Sequence, residues 1–247
     1  MVSAAPQEQW RLLDVQDQDT RLAQIAHRVA TLPEHAEIER LQARLATFAA
    51  ELVVARTRAD DLAREVAKAE ADVEQVRQRA ARDRARLEAG QGSAKDLLSM
   101  QHELDTLARR QSVLEDVELE VMERQEAAAA QVEDLQAEQE RVQAELAELE
   151  ARRDDQVGVL DAEAVTVRQA REQAVAGVPA DLVALYERVR ASSGGVGAAR
   201  LSRRRCEGCR LELNATDLGR IRTAADDEVL RCEECGRILV RTPESGL

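Results

Sequence analysis

Residues 38–52 read IERLQARLATFAAEL, and their apolar positions Ile38, Leu41, Leu45, Phe48 and Leu52 recur at alternating steps of three and four. That spacing lays one apolar stripe along a helix and is the seam of a coiled coil. Outward from it the stripe continues through Ala55, Ala59, Leu62, Val66, Ala69, Val73, Val76 and Ala80 to Leu87, with Asp83 as the one miss. A second run keeps one register from Leu97 through Met100, Leu104, Leu107, Leu114, Val121, Ala128, Val132, Leu135, Val142, Leu146, Leu149 and Leu160 to Val167. Its seam also holds Gln111, Glu118, Gln125, Gln139 and Arg153. Polar seam residues weaken pairing but help fix register and partner.

Between the runs lies Ala89-Gly90-Gln91-Gly92-Ser93-Ala94, where two glycines end one helix and Ser93 can cap the next. The flanking segments 7–89 and 94–176 are each 83 residues long. Equal arms favour an antiparallel hairpin within one chain. Pro33 should end a first helix near Thr31 and interrupt that arm. A short third helix is expected over 178–190, with Pro179 near its start. Residues 192–197, Ser-Ser-Gly-Gly-Val-Gly, read as a flexible linker. The expected organisation is therefore mainly α: a coiled-coil hairpin over 1–177 with its turn near 90–94, a short helix and linker over 178–199, and a small C-terminal module over 200–247.

Composition agrees with long helices. The 247 residues are 44% apolar and 34% charged but only 1% aromatic, with one Phe, one Tyr and one Trp. That blend excludes a TIM barrel, a Rossmann domain or a β-sandwich. Eleven Gly and four Pro are too few for a loop-rich enzyme. Of the net charge of −13, residues 1–199 carry 25 basic against 39 acidic side chains, and residues 200–247 carry 10 against 9. The acidic helices repel nucleic acid and anionic membranes, so any such contact must use a local basic patch. The opening residues lack a basic segment followed by an apolar one, and no apolar run approaches the ~18 residues of a membrane span. A cytoplasmic location is expected. In a reducing compartment, four cysteines point to metal rather than disulfides.

Those cysteines are Cys206-Glu207-Gly208-Cys209 and Cys232-Glu233-Glu234-Cys235, separated by 22 residues. Two C-x2-C pairs at this separation form a zinc ribbon: each pair closes a knuckle, and four sulfurs surround one tetrahedral ion. Gly208 and Gly236 are expected to make the left-handed turns of the knuckles. Residues 229–231 and 237–241 are the expected strands. A module with so little apolar mass takes most of its folding energy from one structural Zn2+. Two disulfides or free buried thiols are the alternative. Four thiolates would leave no open coordination position, which argues against a catalytic ion.

Other signals have bland readings. Gly90-Gln91-Gly92-Ser93-Ala94-Lys95 lacks the strand of a phosphate loop, Asp14, Asp17 and Asp19 lack the glycine and glutamate of a calcium loop and read as a solvated helix face, and the carboxylates over 115–120 have no fold to separate an acid from a base. No catalytic residue is assigned. Arg200, Arg203, Arg204 and Arg205 precede the first knuckle, and Arg210, Arg220, Arg222, Arg231, Arg237 and Arg241 are spread through the module. Arg200, Arg203, Arg204, Arg205, Arg220 and Arg222 are the candidate partner or nucleic-acid contacts; the bland reading is a surface that balances thiolate charge. The module has no Phe, Tyr or Trp on which to stack bases. The module is too small to bury all of Leu211, Leu213, Leu218, Ile221 and Ile238, so exposed apolar contacts rimmed by charge are expected.

Leu12 to Gln16 with Asp19, Leu32-Pro33, Lys95-Asp96-Leu97 with Gln101-His102-Glu103, Leu114-Glu115-Asp116 with Leu119 and Met122-Glu123, 179–190, Gly194-Gly195 and 232–239 together resemble a bacterial family of coiled-coil hairpins ending in a C4-type zinc ribbon. The first knuckle departs from its pattern, with Arg210 where a glycine is usual. The resemblance implies an adaptor; some relatives look like regulators linked to flagellar or type III export and to the sigma-54 transcription factor, and some touch RNA. The expected function is a non-enzymatic adaptor whose hairpin presents, through a hinge, a structural zinc ribbon that binds a protein. The alternative is an RNA- or DNA-binding regulator that uses the arginines of the ribbon.

Overall fold

A computed structural model describes residues 2–247. Its elements are α1 (Pro6–Ala30), α2 (Pro33–Glu88), α3 (Ala94–Val175), α4 (Ala180–Ser192), β1 (Ala198–Ser202), β2 (Arg205–Cys206), α5 (Ala215–Thr223), β3 (Leu230–Arg231), β4 (Ile238–Val240) and a final 3-10 turn, Pro243–Ser245. The helix ends follow from local chemistry. α1 begins at a proline, with the Glu8 carboxylate accepting the Ala5 N–H at 2.7 Å. It stops before Leu32-Pro33, where the proline ring disfavours helical backbone in the preceding residue. At the start of α3, Ser93 and Asp96 cap each other: Asp96 N–H donates to Ser93 Oγ, and its carboxylate accepts the Ser93 N–H at 2.9 Å. Gly90 (φ 63°) and Gly92 (φ 133°) make the turn between α2 and α3. Among the described residues, no helix is long and apolar enough to cross a membrane.

The chain divides into two compact units, Ala36–Glu150 and Met1–His35 with Ala151–Leu247. In Ala36–Glu150, α2 and α3 pair antiparallel along the expected seam. Ile38, Leu41 and Phe48 pack with Val142 and Leu149, and Val76 and Ala80 pack with Leu107. The polar seam residues Gln111, Glu118, Gln125 and Gln139 are half-buried. Arg44–Glu138 at 3.3 Å, Arg77–Glu115 at 2.6 Å and Arg79–Glu103 cross between the arms. Exposed pairs of this kind contribute under about 1 kcal/mol each, so they fix register rather than hold the arms.

In the other unit, Ile25 of α1 packs on Leu160, Ala164 and Val167 of α3. Leu12 and Val15 join Leu182, Tyr186 and Val189 of α4, together with Ala198, Ile238 and Val240 of a four-stranded sheet. The strand order is β2-β1-β4-β3, with β1 and β4 parallel and the outer pairings antiparallel. Successive residues of β1 and β4 face opposite ways. Ala198, Ile238 and Val240 meet the helices, while Ala199, Leu201 and Leu239 belong to a second core with Leu213, Ile221, Leu230, Cys206 and Cys232.

Two expectations are corrected here. Asp19 is not on a solvated face: it is 2% exposed. Its carboxylate accepts from Arg171 Nε at 2.7 Å and Tyr186 Oη at 2.7 Å, and Arg190 Nη2 lies at 3.2 Å. Segment 192–197 is not free either. Gln16 Oε1 accepts the Gly197 N–H at 2.7 Å, and Arg237 Nη2 donates to Ser193 O at 2.8 Å. A Cβ on Gly197 would lie 2.8 Å from the Tyr186 carbonyl oxygen, so glycine is there for close approach. Residues 151–247 fall in one compact unit with the N-terminal segment, so β1 and β4 of the C-terminal module share a core with α1 and α4. The N-terminal residues reinforce this: Ala4 N–H donates to Asp227 O at 2.8 Å and Trp10 Nε1 to Arg241 O at 2.6 Å.

Asp19→Ala should cost roughly 3 kcal/mol in urea unfolding, because it leaves guanidinium groups packed without their carboxylate. Burial, and then the hydrogen bond to Asp19, push the Tyr186 phenol above its ordinary value. Its contribution to stability is therefore complete below about pH 10 and is lost as pH rises further. Tyr186 is the one tyrosine of the chain, so phenolate absorbance reads it directly. Tyr186→Phe should flatten the alkaline limb of the stability curve; an unchanged limb would place the titration elsewhere.

Candidate metal centre

The second core ends in the four cysteines. Each knuckle is closed by one backbone hydrogen bond, Arg210 N–H to Cys206 O at 2.7 Å and Gly236 N–H to Cys232 O at 2.8 Å. The residue after each second cysteine is left-handed, Arg210 at φ 62° and Gly236 at φ 71°. The two knuckles thus share one geometry although only one carries the glycine. The left-handed residue of the first knuckle is Arg210 and not Gly208. Gly208 serves close packing instead: a Cβ there would lie 2.9 Å from Ala199 Cβ and 2.7 Å from Arg237 Cδ.

The four sulfurs lie within 4.8 Å of one another. Cys206 Sγ is 3.9 Å from Cys235 Sγ, and Cys209 Sγ is 3.9 Å from Cys232 Sγ. A tetrahedral zinc thiolate with Zn–S bonds of about 2.3 Å sets its sulfurs about 3.8 Å apart, so the donor set fits one structural zinc and closes its coordination. The cysteines are free thiols. Without metal, burial holds the Cys206 and Cys232 thiols above their ordinary value. Burial also opposes ionisation of Cys235, but the backbone and side chain of Arg237 and the neighbouring thiols bring it down to about 7. Zinc stabilisation on the order of 10 kcal/mol exceeds the roughly 1–2 kcal/mol of strain in a left-handed arginine, so the metal holds Arg210 in place.

The candidate arginines separate by role. Arg200, Arg203, Arg204 and Arg205 are exposed on the β1–β2 hairpin, and Arg220 and Arg222 are exposed on α5. Arg220 pairs with Glu233 at 2.5 Å. Arg237 and Arg241 are half-buried and hydrogen-bonded within the module. Arg237 also donates to Val196 O, and Arg241 donates to Ala224 O, Ala225 O, Asp226 O and Glu228 O, which ties the end of α5 to β4. Arg231 Nε donates to Gly236 O at 2.7 Å within the second knuckle. Of the five apolar residues that the module was not expected to bury in full, Leu211 is exposed and Leu218 half-buried, while Leu213, Ile221 and Ile238 are buried. The sheet takes helices on one side and α5 on the other, which covers more than a free ribbon could.

Residues 15–194 match the family model of the CT398-like coiled coil hairpin domain, and residues 205–239 match that of the C4-type zinc ribbon domain. The chain is 38% identical over 240 residues to the uncharacterized protein Rv2229c of Mycobacterium tuberculosis, covering 97% of this chain and 98% of that one. A solved structure from Mycobacterium smegmatis is 39% identical, covers 97% of this chain and 100% of its own, and superposes with a TM-score of 0.85. The structure of CT398 from Chlamydia trachomatis shares the fold at 15% identity, with a TM-score of 0.68 over 96% of this chain and 98% of that one.

Metal analysis should return one zinc per chain, and Cys232→Ser should release it. Full retention by that variant would remove Cys232 from the site. A matched pair tests the knuckles: Arg210→Gly should raise stability and Gly236→Ala should lower it, each by about 1 kcal/mol, read as the chelator concentration at which zinc is lost.

Proposed function

Because this chain belongs to the family of CT398-like coiled-coil hairpins, here ended by a C4-type zinc ribbon, we propose that it is a non-enzymatic cytoplasmic adaptor whose ribbon surface binds a protein partner. Four thiolates saturate the metal, so the zinc shapes a surface and offers no position to a substrate. Asp19, the buried carboxylate, is 2% exposed and engaged by Arg171, Arg190 and Tyr186, so it presents no free oxygen to a ligand. The observation that carries the reading is the division among the arginines. Arg237 and Arg241 serve internal carbonyls, while Arg200, Arg203, Arg204, Arg205 and Arg222 remain exposed on the ribbon. Arginine is the charged residue most at home in protein interfaces, through its planar fork and weak hydration.

Full-length protein and a variant with Arg200, Arg203, Arg204, Arg205, Arg220 and Arg222 changed to Ala, both zinc-loaded, test this by crosslinked capture from the native cell with and without nuclease. The wild type should capture a protein through a nuclease-insensitive contact, and the variant should lose most of it, chiefly through a slower association rate. Capture that disappears with nuclease would assign the arginines to phosphate. Capture undiminished in the variant would move recognition to the helices.

A further inference from the structure

Ser202 and Arg205 face each other across the β1–β2 hairpin, which makes Arg203 and Arg204 the two central residues of a two-residue turn. Both have positive φ, 46° and 64°. Asn-Gly satisfies such a turn without strain, and two arginines do not. The turn is held from outside: Arg203 N–H donates to Glu244 O at 2.8 Å and Arg204 N–H to Ser245 O at 2.9 Å. The final 3-10 turn thus fixes the backbone while both side chains stay exposed, with Arg204 Nε reaching Gly246 O only at 3.4 Å. Strain retained where an easier sequence would make the same turn points to work done by the side chains. Arg200 and Arg205 are exposed on the strands beside them. Among the described residues none of the four is in an ion pair, in contrast to Arg220. Glu244 is the nearby acid that senses Arg200, though its carboxyl is held low first by Thr242.

We propose that this hairpin tip grips a short run of carboxylates on the partner protein. The inference rests on the adaptor reading and names the chemistry of its contact. Guanidinium forks match carboxylates two bonds at a time. The positive surface is an island, with exposed Glu207, Glu212, Glu233 and Glu234 around it in the ribbon sequence and a net −14 over residues 1–199. An island suits a few acidic side chains; a nucleic-acid backbone needs a longer track and, for single strands, aromatic platforms that 200–247 lack.

Full-length zinc-loaded protein is titrated with a labelled peptide of eight glutamates and with an eight-uridine RNA at equal ionic strength. The peptide should bind more tightly, and its affinity should fall with salt. R203N/R204G supplies the unstrained turn. It should raise Tm by about 4 °C and weaken peptide binding at least roughly tenfold, a combination no purely structural role produces. R82A/R84A removes the same charge from exposed positions of α2 and should change neither. Peptide binding unchanged in R203N/R204G, RNA binding stronger than peptide binding, or equal loss in R82A/R84A each overturns the proposal. If R203N/R204G still captures the native partner while the six-alanine variant does not, the tip is wrong and the adaptor reading stands. If both capture it fully, the ribbon surface is not the contact and recognition moves to the helices.

Discussion

Asp19 carries a negative charge where almost no water reaches, and much of its compact unit is arranged around keeping that charge satisfied. A buried carboxylate left alone would take up a proton or destabilise the fold by several kcal/mol. Its partners come from separate parts of the chain: Arg171 from α3, Arg190 and Tyr186 from α4. Glu187 receives the second branch of both guanidinium groups and balances the charge. One turn earlier on α1, the amide of Gln16 accepts the Gly197 N–H, donates to Gly195 O and lies 3.1 Å from the Tyr186 hydroxyl. Leu12, Val15, Gln16 and Asp19 lie at i, i+3, i+4 and i+7, so a single helix face sets α3, α4 and the entry to β1 in one arrangement.

What could be read from the sequence was whatever its signal is local. The three-four spacing from Ile38 to Leu87, the glycines at 90 and 92, and the two Cys-x2-Cys pairs each lie within a short window, and each names its own partner type. Asp19 was illegible because its arginine partner stands 152 residues away. A trace of it was present: an acidic residue in line with Leu12 and Val15 is in the wrong place for a solvated face. Glycine was the other source of error. Residues 192–197 read as freedom because glycine permits it, yet Gly197 and Gly208 are glycines because a methyl group would strike Tyr186 or Ala199. The left-handed position then went to Arg210, which no composition rule would select.

Counting arginines also overstates the charge the ribbon can offer. The module has few apolar residues with which to pin its loops, and guanidinium groups take over that work. Arg241 alone collects four carbonyl oxygens at the end of α5 and the loop beyond it, and Arg237 collects three, Gly208 O in the first knuckle and Ser193 O and Val196 O in the segment before β1. Buried carbonyls need such donors, and a planar group with five N–H bonds meets several at once. The charge left for a partner is concentrated on the β1–β2 hairpin and on Arg210 and Arg222.

β1 and β4 present alternate residues to two cores, one made with helices and one made with thiols. A ribbon built this way is not a cassette. Moved to another protein it would carry Ile238 and Val240 as a bare apolar surface, and the helices left behind would lose the floor on which Leu12 and Tyr186 rest. Variation over evolutionary time is then channelled elsewhere. The paired arms of Ala36–Glu150 can lengthen or shorten by matched heptads without disturbing a seam contact outside the change. Sequence around the sheet can drift only as both of its faces drift together.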